Sequence, residues 1–103
     1  MKCLDDCHTY ELDLFHKDFE VGGLTPASFL IHFFEMKEDG FTINGVTNEE
    51  VLRVLIHRMG VLNKKMPCFE NTMTHANLVA ALSWLEARTE NRVKRNVEGT
   101  HKP

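Results

Sequence analysis

Residues 47–65 read TNEEVLRVLIHRMGVLNKK, and this stretch decides the fold because it joins a helix start signal to a helical apolar period. The Thr47 hydroxyl can accept a hydrogen bond from the Glu50 amide while the Glu50 carboxylate reaches back, which is a capping box. The apolar positions that follow form a stripe wider than one neighbouring helix can cover. The sequence therefore predicts a helix to about Lys65. Gly60 costs it about 1 kcal/mol against alanine, so we expect a close helix approach or a kink there.

A second helix is predicted directly after the first. Pro67 ends the first helix or opens the next one, and the helical period then continues over about 68–95, followed by a polar tail at 96–103. Two helices joined by so short a link predict a helical hairpin. The residues expected to face inward are Met73, Ala76, Leu78, Ala80, Leu82 and Leu85, with Trp84 beside them.

The first part of the chain has a period of two instead. Alternation over 7–14 predicts a half-buried strand, and glycines and a proline over 17–26 predict a loop. Residues 28–36 predict a second strand that is apolar on both faces. A turn at 37–40 and a short third strand at 41–43 follow. A strand that is apolar on both sides must be covered on both sides, most easily by a partner subunit.

The predicted fold class is therefore α+β. A small N-terminal antiparallel β-sheet is followed by a long C-terminal helical hairpin, and the excess of apolar surface predicts a homo-oligomer. The length of 103 residues predicts a single domain over 1–103, with a β region at 1–46 and the hairpin and tail at 47–103.

Charge is distributed unevenly along the chain. Residues 1–46 hold nine acids and three bases, a net charge of −6, whereas residues 47–103 hold six acids and nine bases, a net charge of +3. This polarity argues against a general binder of DNA or RNA polymers, which needs a dominant basic surface. It permits a small anionic ligand at the basic part, or head-to-tail packing of subunits.

The cysteines and apolar runs predict an intracellular, soluble protein. Met1-Lys2 is followed by Cys3, Leu4 and two aspartates, so we expect no leader peptide. The apolar runs are too short for a bilayer, so we expect no membrane partner. Three cysteines, an odd number, favour reduced thiols over a disulfide framework.

Two sets of side chains could support metal chemistry. Cys3, Cys7 and His8 are zinc-ligand types, but no second pair of ligands completes a zinc site, so no metal is predicted. Hairpin geometry should also bring the start of the first helix beside the end of the second. Four acids would then share one end, as in Mg²⁺-dependent nucleotide pyrophosphohydrolases, although the E-x-x-E spacing of such enzymes is missing. These acids are Glu49, Glu50, Glu86 and Glu90.

Three arginines near the end of the second helix suggest a different chemistry. Arg88, Arg92 and Arg95 are spaced i, i+4 and i+7, which places three guanidiniums on one helix face. Guanidinium forks suit phosphate groups. Basic residues also complement the dipole at a helix C-terminus, so a solvated charge ladder is the competing interpretation.

Many short motifs in order resemble one known family. They are Leu4-Asp5-Asp6, His8, Tyr10-Glu11-Leu12, Thr47-Asn48-Glu49-Glu50-Val51-Leu52, Arg58-Met59, Pro67-Cys68, Glu70-Asn71, Ala81-Leu82, Trp84-Leu85, Arg88-Thr89 and Val97-Glu98-Gly99-Thr100-His101. The chain resembles the phage anti-Thoeris sponge proteins of the first type, which share a helical-hairpin domain with anti-CBASS sponges. The resemblance spans residues 2–15 and 44–101.

The resemblance implies a phage anti-defence protein that is not an enzyme and needs no cofactor. Such sponges act in the host bacterial cytoplasm, where they bind cyclic ADP-ribose isomers (glycocyclic ADP-ribose) made by the Thoeris TIR enzyme and hold them intact. They are homo-oligomers, dimers or hexamers, with ligand sites between subunits. Carried over by position, the ligand-facing residues are Asn71, Arg88 and Arg92. The arginines would grip the pyrophosphate or stack on adenine, and Asn71 would hydrogen-bond a base or ribose.

Three positions depart from the family pattern. Val61 stands where an aromatic residue usually stacks on the ligand base, and Phe69 stands where a basic residue is usual. Phe69 could supply the missing ring to the same site. Cys7 stands where a glycine is common. These departures keep other functions open: a sponge for the cyclic di- or trinucleotides of CBASS, the Mg²⁺-dependent hydrolase, and an inert interaction module with solvated arginines.

Overall fold

The computed structural model describes residues 1–14 and 29–94 of the chain. The elements run in the order β1 (Lys2–Asp5), β2 (Thr9–Leu12), β3 (Phe29–His32), β4 (Glu35–Met36), β5 (Thr42–Ile43), α1 (Asn48–Lys65) and α2 (Phe69–Lys94). They divide into a β unit that ends at Val46 and a helical unit that begins at Thr47. The predicted α+β class is confirmed. The predicted loop at 17–26, Arg95 and the tail at 96–103 lie outside the described residues.

The β unit begins with a hairpin that the sequence did not predict. β1, β2 and β3 form an antiparallel sheet in that order. The strand predicted at 7–14 was wrong at its start, because the chain turns between β1 and β2. The Asp5 carboxylate fixes this turn by accepting hydrogen bonds from the Thr9 amide at 2.6 Å and the His8 amide at 3.2 Å. Cys7 has a φ of 66°, in the left-handed region that favours glycine.

The strand predicted at 28–36 is divided in two. Residues Phe29–His32 (β3) pair with β2, whereas Glu35–Met36 (β4) pair with β5. Between them the Phe34 amide donates to the Val46 carbonyl, and the Val46 amide donates to the His32 carbonyl, each at 2.9 Å. A Cβ added at Gly45 would lie 2.5 Å from the Phe34 nitrogen, so only glycine permits this crossing. The predicted turn and third strand are confirmed, with Gly40 at a φ of 87°.

Helix α1 confirms its predicted bounds and its cap. The Thr47 hydroxyl accepts a hydrogen bond from the Glu50 amide at 3.1 Å. The other half of the capping box does not form, because the Glu50 carboxylate accepts instead from Arg53 at 3.3 Å. Gly60 faces α2, but a Cβ there would meet the His75 ring nitrogen Nε2 at 3.6 Å, an ordinary van der Waals contact, so the helices leave room for an alanine at this position.

Helix α2 packs on α1 through residues that are spaced alternately four and three positions apart. We call this face the seam of α2; it comprises Asn71, His75, Leu78, Leu82, Leu85, Thr89 and Arg92. The inward placement of Leu78, Leu82 and Leu85 is confirmed. The inward placement of Met73, Ala76 and Ala80 was wrong, because these residues are exposed. At 100° per residue, Met73 lies about 200° around the helix from Asn71.

Both units leave large apolar side chains exposed. Among the described residues, no apolar side chain is fully buried, and Trp84 and Phe69 have exposed fractions of 78% and 73%. On α2 several exposed apolar residues form a second stripe on the side opposite the seam, although Val79 and Val93 are exposed outside it. We call it the outer stripe; it comprises Phe69, Met73, Ala76, Ala80, Trp84 and Ala87. Within the described residues, neither helix has the length and apolar character to cross a bilayer.

Candidate functional site

The loop end of the hairpin, where α1 is followed by α2, is fixed by side-chain amides. The Asn63 Nδ2 donates to the Thr72 hydroxyl at 3.1 Å, and its Oδ1 accepts from the Cys68 amide at 3.2 Å. The Asn71 Nδ2 donates to the Met66 carbonyl at 3.2 Å. The bonds to the Cys68 amide and the Met66 carbonyl take the place of backbone partners that helix ends lack, and the Asn63–Thr72 bond joins the two helices through side chains.

Asn71 therefore has a structural role that competes with its predicted contact to a ligand. Its side chain is half-buried and its amide nitrogen is occupied. Its Oδ1 accepts no hydrogen bond from any residue in the described ranges. That carbonyl oxygen is the atom through which Asn71 can still accept a hydrogen bond from a base or ribose.

Val61 and Phe69 lie toward the same end of the hairpin. Phe69 is the first residue of α2, and Val61 lies on the last turns of α1. The exposed fraction of Phe69 is 73% and that of Val61 is 40%, so both present apolar surface to solvent. Phe69 is available for the stacking role that Val61, which has no ring, cannot perform.

Arg88 and Arg92 lie near the other end of α2, in different surroundings. Arg88 is exposed, and no carboxylate of the described residues forms an ion pair with it. Arg92 has an exposed fraction of only 7% and is the one buried residue in the described ranges. Of the predicted ladder, Arg88 is therefore exposed and Arg92 is buried, while Arg95 lies outside the described residues. The ligand role of Arg92 stays a prediction.

The structure does not bring Asn71 and Arg88 together within one chain. Both lie on the unbroken helix Phe69–Lys94, seventeen residues apart. At a rise of 1.5 Å per residue, this is about 25 Å. A single small nucleotide cannot contact both residues unless they come from two copies of the chain.

The other end of the hairpin, which we call the open end, carries the predicted cluster of acids. Glu49, Glu86 and Glu90 line an open cavity of about 370 Å³ together with Arg53 and Thr89. The expected proximity of these three acids is confirmed. Glu50 lies outside this cavity and pairs with Arg53 at 3.3 Å, whereas Glu90 pairs with Lys94 at 3.4 Å.

Metal-ligand types do not converge elsewhere in the part of the chain that the structure describes. Across the described ranges, the acids of the open end included, no group of three His, Cys, Asp or Glu side chains has an arrangement that could hold a metal ion. Cys3, Cys7 and Cys68 are free and exposed. Asp5 serves the turn of the β unit: desolvation raises the pKa of its carboxyl, but hydrogen bonds from Thr9 and His8 outweigh this and hold the pKa below its usual value.

Comparison with known proteins gives one close relationship. The chain is 44% identical over 59 residues to "Thoeris anti-defense 1" of Bacillus phage SBSphiJ7. The predicted resemblance to anti-Thoeris phage proteins is confirmed. The match covers 56% of this chain and 42% of the length of that relative, so less than half of the relative is represented. No protein-family model matches the chain.

Beyond the five residues transferred from the anti-Thoeris resemblance, the structure shows a basic groove that the sequence analysis missed. It runs along α1 and has a volume of about 610 Å³. We call it the α1 groove; the residues that define it are Arg53, Val54, His57, Arg58, Val61 and Lys65. The sequence contained the signal for this basic face, because these residues recur every three or four positions along α1, on the side opposite most of its half-buried residues.

Proposed function

We propose that the chain is a phage anti-defence protein that acts against Thoeris immunity in the host cell. It binds a cyclic ADP-ribose isomer made by the Thoeris TIR enzyme and holds that signal without cleaving it. The similarity to the anti-Thoeris relative is the observation that carries this proposal. Sequestration removes the signal by mass action, so it requires affinity and no reaction.

We place the ligand between two copies of the chain. Asn71 and Arg88 lie about 25 Å apart along one helix, so a shared ligand needs one residue from each copy. Two α2 helices packed antiparallel through their outer stripes would bring the first turn of one near the last turns of the other. Such packing would also cover Phe69 and Trp84, the most exposed aromatic residues of the hairpin.

The roles of the site residues follow from their side chains. Arg88 is exposed and unpaired within the described ranges, so its guanidinium can form charge-assisted hydrogen bonds with a pyrophosphate. Phe69 offers a ring for adenine, and the Asn71 Oδ1 can accept from a base or ribose. Arg92 contributes by positioning the end of α2, because it is buried in the single chain.

The acids at the open end are poorly suited to Mg²⁺-dependent hydrolysis. Three carboxylates line the cavity, but Arg53 lies among them and Glu90 pairs with Lys94. Cations that neutralise carboxylates reduce their attraction for Mg²⁺. The proposed protein is therefore a sponge and not an enzyme.

Capture of the signal tests this proposal. The purified protein is mixed with the product of an active Thoeris TIR enzyme, freed of unbound small molecules and heat-denatured, and the released fraction is analysed by mass spectrometry. We expect an intact cyclic ADP-ribose isomer from the wild-type chain. Arg88→Gln should release at least about tenfold less, the loss expected for one charged hydrogen-bonding partner. Lys37→Gln removes an equal charge in the β unit and should leave capture unchanged.

Other products would contradict the proposal. Linear ADP-ribose, or fragments that form only with Mg²⁺, would identify a hydrolase. Recovery of no nucleotide would reject the Thoeris signal as ligand, and the cyclic oligonucleotides of CBASS would then be tested in the same way. Trp84→Glu should lower the mass of the assembly in light scattering and abolish capture, because it places a charge in the outer stripe. Capture by a monomeric Trp84→Glu variant would reject the site between copies.

A further inference from the structure

Two exposed charges on α2, Glu70 and Arg88, form no ion pair within the described ranges. Neither has an opposite charge three or four positions away, where a partner on the same helix face would lie. Glu70 is in the first turn of α2, where the helix dipole favours an acid. Arg88 lies before the last turn, so the dipole does not account for it.

Glu70 and Arg88 lie on the same side of α2. They are eighteen residues apart, which at 100° per residue is about five full turns and a distance of about 27 Å. The two side chains therefore cannot meet within one chain. Both lie about 80° around the helix from the centre of the outer stripe, so they flank one edge of that exposed apolar surface.

A second copy of α2 can supply the missing partner of each charge. A two-fold axis that relates two antiparallel helices brings the same flank of both helices to the same side of their interface. With the axis beside residue 79, the midpoint of the two charges, Glu70 of each copy meets Arg88 of the other. In a parallel pair these residues stay about 27 Å apart, so the charges favour the antiparallel arrangement.

The apolar side chains of the outer stripe give nearly the same axis. Trp84 has an exposed fraction of 78%, and an axis beside Ala80 places it opposite Ala76. The same axis places Met73 opposite Ala87, so a large side chain faces a small one at both positions. Axes beside residues 79 and 80 differ by about 1.5 Å along the helix. Charge and size therefore agree on one register.

We propose that a second copy of the chain covers the outer stripe with the two-fold axis beside Ala80, and that Glu70 of each copy is the counter-charge of Arg88 of the other. A guanidinium has five N–H donors, so a carboxylate on one edge leaves donors for a phosphate. This inference rests on the proposed function for the ligand of Arg88. It adds Glu70 and a register that the proposed function does not specify.

Reversal of the charges tests the pairing without ligand. Sedimentation velocity over a concentration series measures the dissociation constant of self-association. Glu70→Arg should raise this constant at least about tenfold, because it places like charges together at both ends of the interface. Combining Glu70→Arg with Arg88→Glu should return it to within about threefold of wild type, because the pair is restored in reverse. Glu38→Arg makes the same change of charge in an exposed turn outside α2 and should leave the constant unchanged.

Cross-linking tests the position of the axis. In a chain whose three cysteines are replaced by serine, Ala80→Cys places one thiol of each copy beside the axis. A short bis-maleimide should then join the two copies into a covalent dimer. Ala81→Cys is the matched control, because Ala81 is also an exposed alanine but lies about 100° further around the helix. It should give far less covalent dimer.

Three results would overturn the proposal. One is a wild-type chain that stays monomeric at every concentration. Another is a double reversal that fails to restore the association lost in Glu70→Arg, which would show a general effect of charge. The third is equal cross-linking at positions 80 and 81, which would place the axis elsewhere.

The outcome is separable from that of the proposed function. Rescue by the double reversal, with no capture of the TIR product by the wild-type chain, would retain the interface and reject the sponge. Capture that depends on Arg88, with no effect of Glu70→Arg on association, would retain the sponge and reject the pairing.

Discussion

The two ends of the helical hairpin are built in different ways. At the loop end, Asn63 and Asn71 bind the connection between α1 and α2 through three side-chain hydrogen bonds. At the open end, acids and Arg53 surround an open cavity, and Arg88 is exposed. Substitutions at the loop end should therefore reduce stability, whereas those at the open end should change binding. Asn71 is the residue for which the two effects combine.

The largest effect on stability is expected from Asn63→Ala. It removes the hydrogen bonds to Thr72 and Cys68, each worth about 1 kcal/mol, so the free energy of unfolding should fall by about 2 kcal/mol. Urea denaturation at fixed protein concentration measures this change. Asn91→Ala is the control, because Asn91 is an exposed asparagine near the open end, and it should change stability by less than about 0.5 kcal/mol. Equal losses from the two variants would remove the distinction between the ends.

Thr47→Ala should have the next largest effect on stability, because it removes the side-chain cap at the start of α1. Loss of an N-cap side chain typically costs about 1 kcal/mol. The same urea series measures it, and Thr47→Ser should retain most of the stability because it keeps the hydroxyl. A loss larger than that of Asn63→Ala would mean that the open end, not the loop end, limits the stability of the hairpin.

Asn71→Ala should lower both stability and binding. Loss of the hydrogen bond to the Met66 carbonyl predicts a decrease of about 1 kcal/mol in the free energy of unfolding. Capture of the TIR product, measured at a temperature where the variant is folded, should also fall. A variant that loses stability and keeps full capture would show that Asn71 serves only the loop end.

Arg88→Gln should have the smallest effect on stability, within about 0.5 kcal/mol of the wild-type protein. Arg88 is exposed and has no ion pair in the described ranges, so its substitution removes no ion pair from that part of the folded chain. Its thermal unfolding, followed by circular dichroism without ligand, should overlay the wild-type curve. A decrease of 1 kcal/mol or more, on the order of a lost charged hydrogen bond, would give Arg88 a structural role instead.

Local signals predicted the helical unit well. The Thr47 cap and the end of α1 depend on residues close in sequence. The face of α2 was harder, because that helix carries two apolar stripes and periodicity alone cannot say which one meets α1. Met73 was therefore assigned to the wrong side.

The β unit and the site show two other limits. The strand predicted at 28–36 divides because the backbone of Val46, which is distant in sequence, forms hydrogen bonds with the backbone of His32 and Phe34. The β propensity of residues 28–36 cannot predict that pairing with a distant residue. The site residues came from resemblance, and their separation along α2 could be predicted from helix geometry. The α1 groove was missed because its cations looked like an ordinary solvated face.

The outer stripe of α2 has a consequence for how the protein behaves on dilution. In a single copy, Phe69 and Trp84 are exposed to water, and in the proposed assembly a second copy covers them. Folding and association then become linked equilibria, and the unfolding temperature rises with protein concentration. Early in infection, when few copies have been made, the chain would be at its least stable. The level of expression would then set both how much signal can be held and how well each copy is folded.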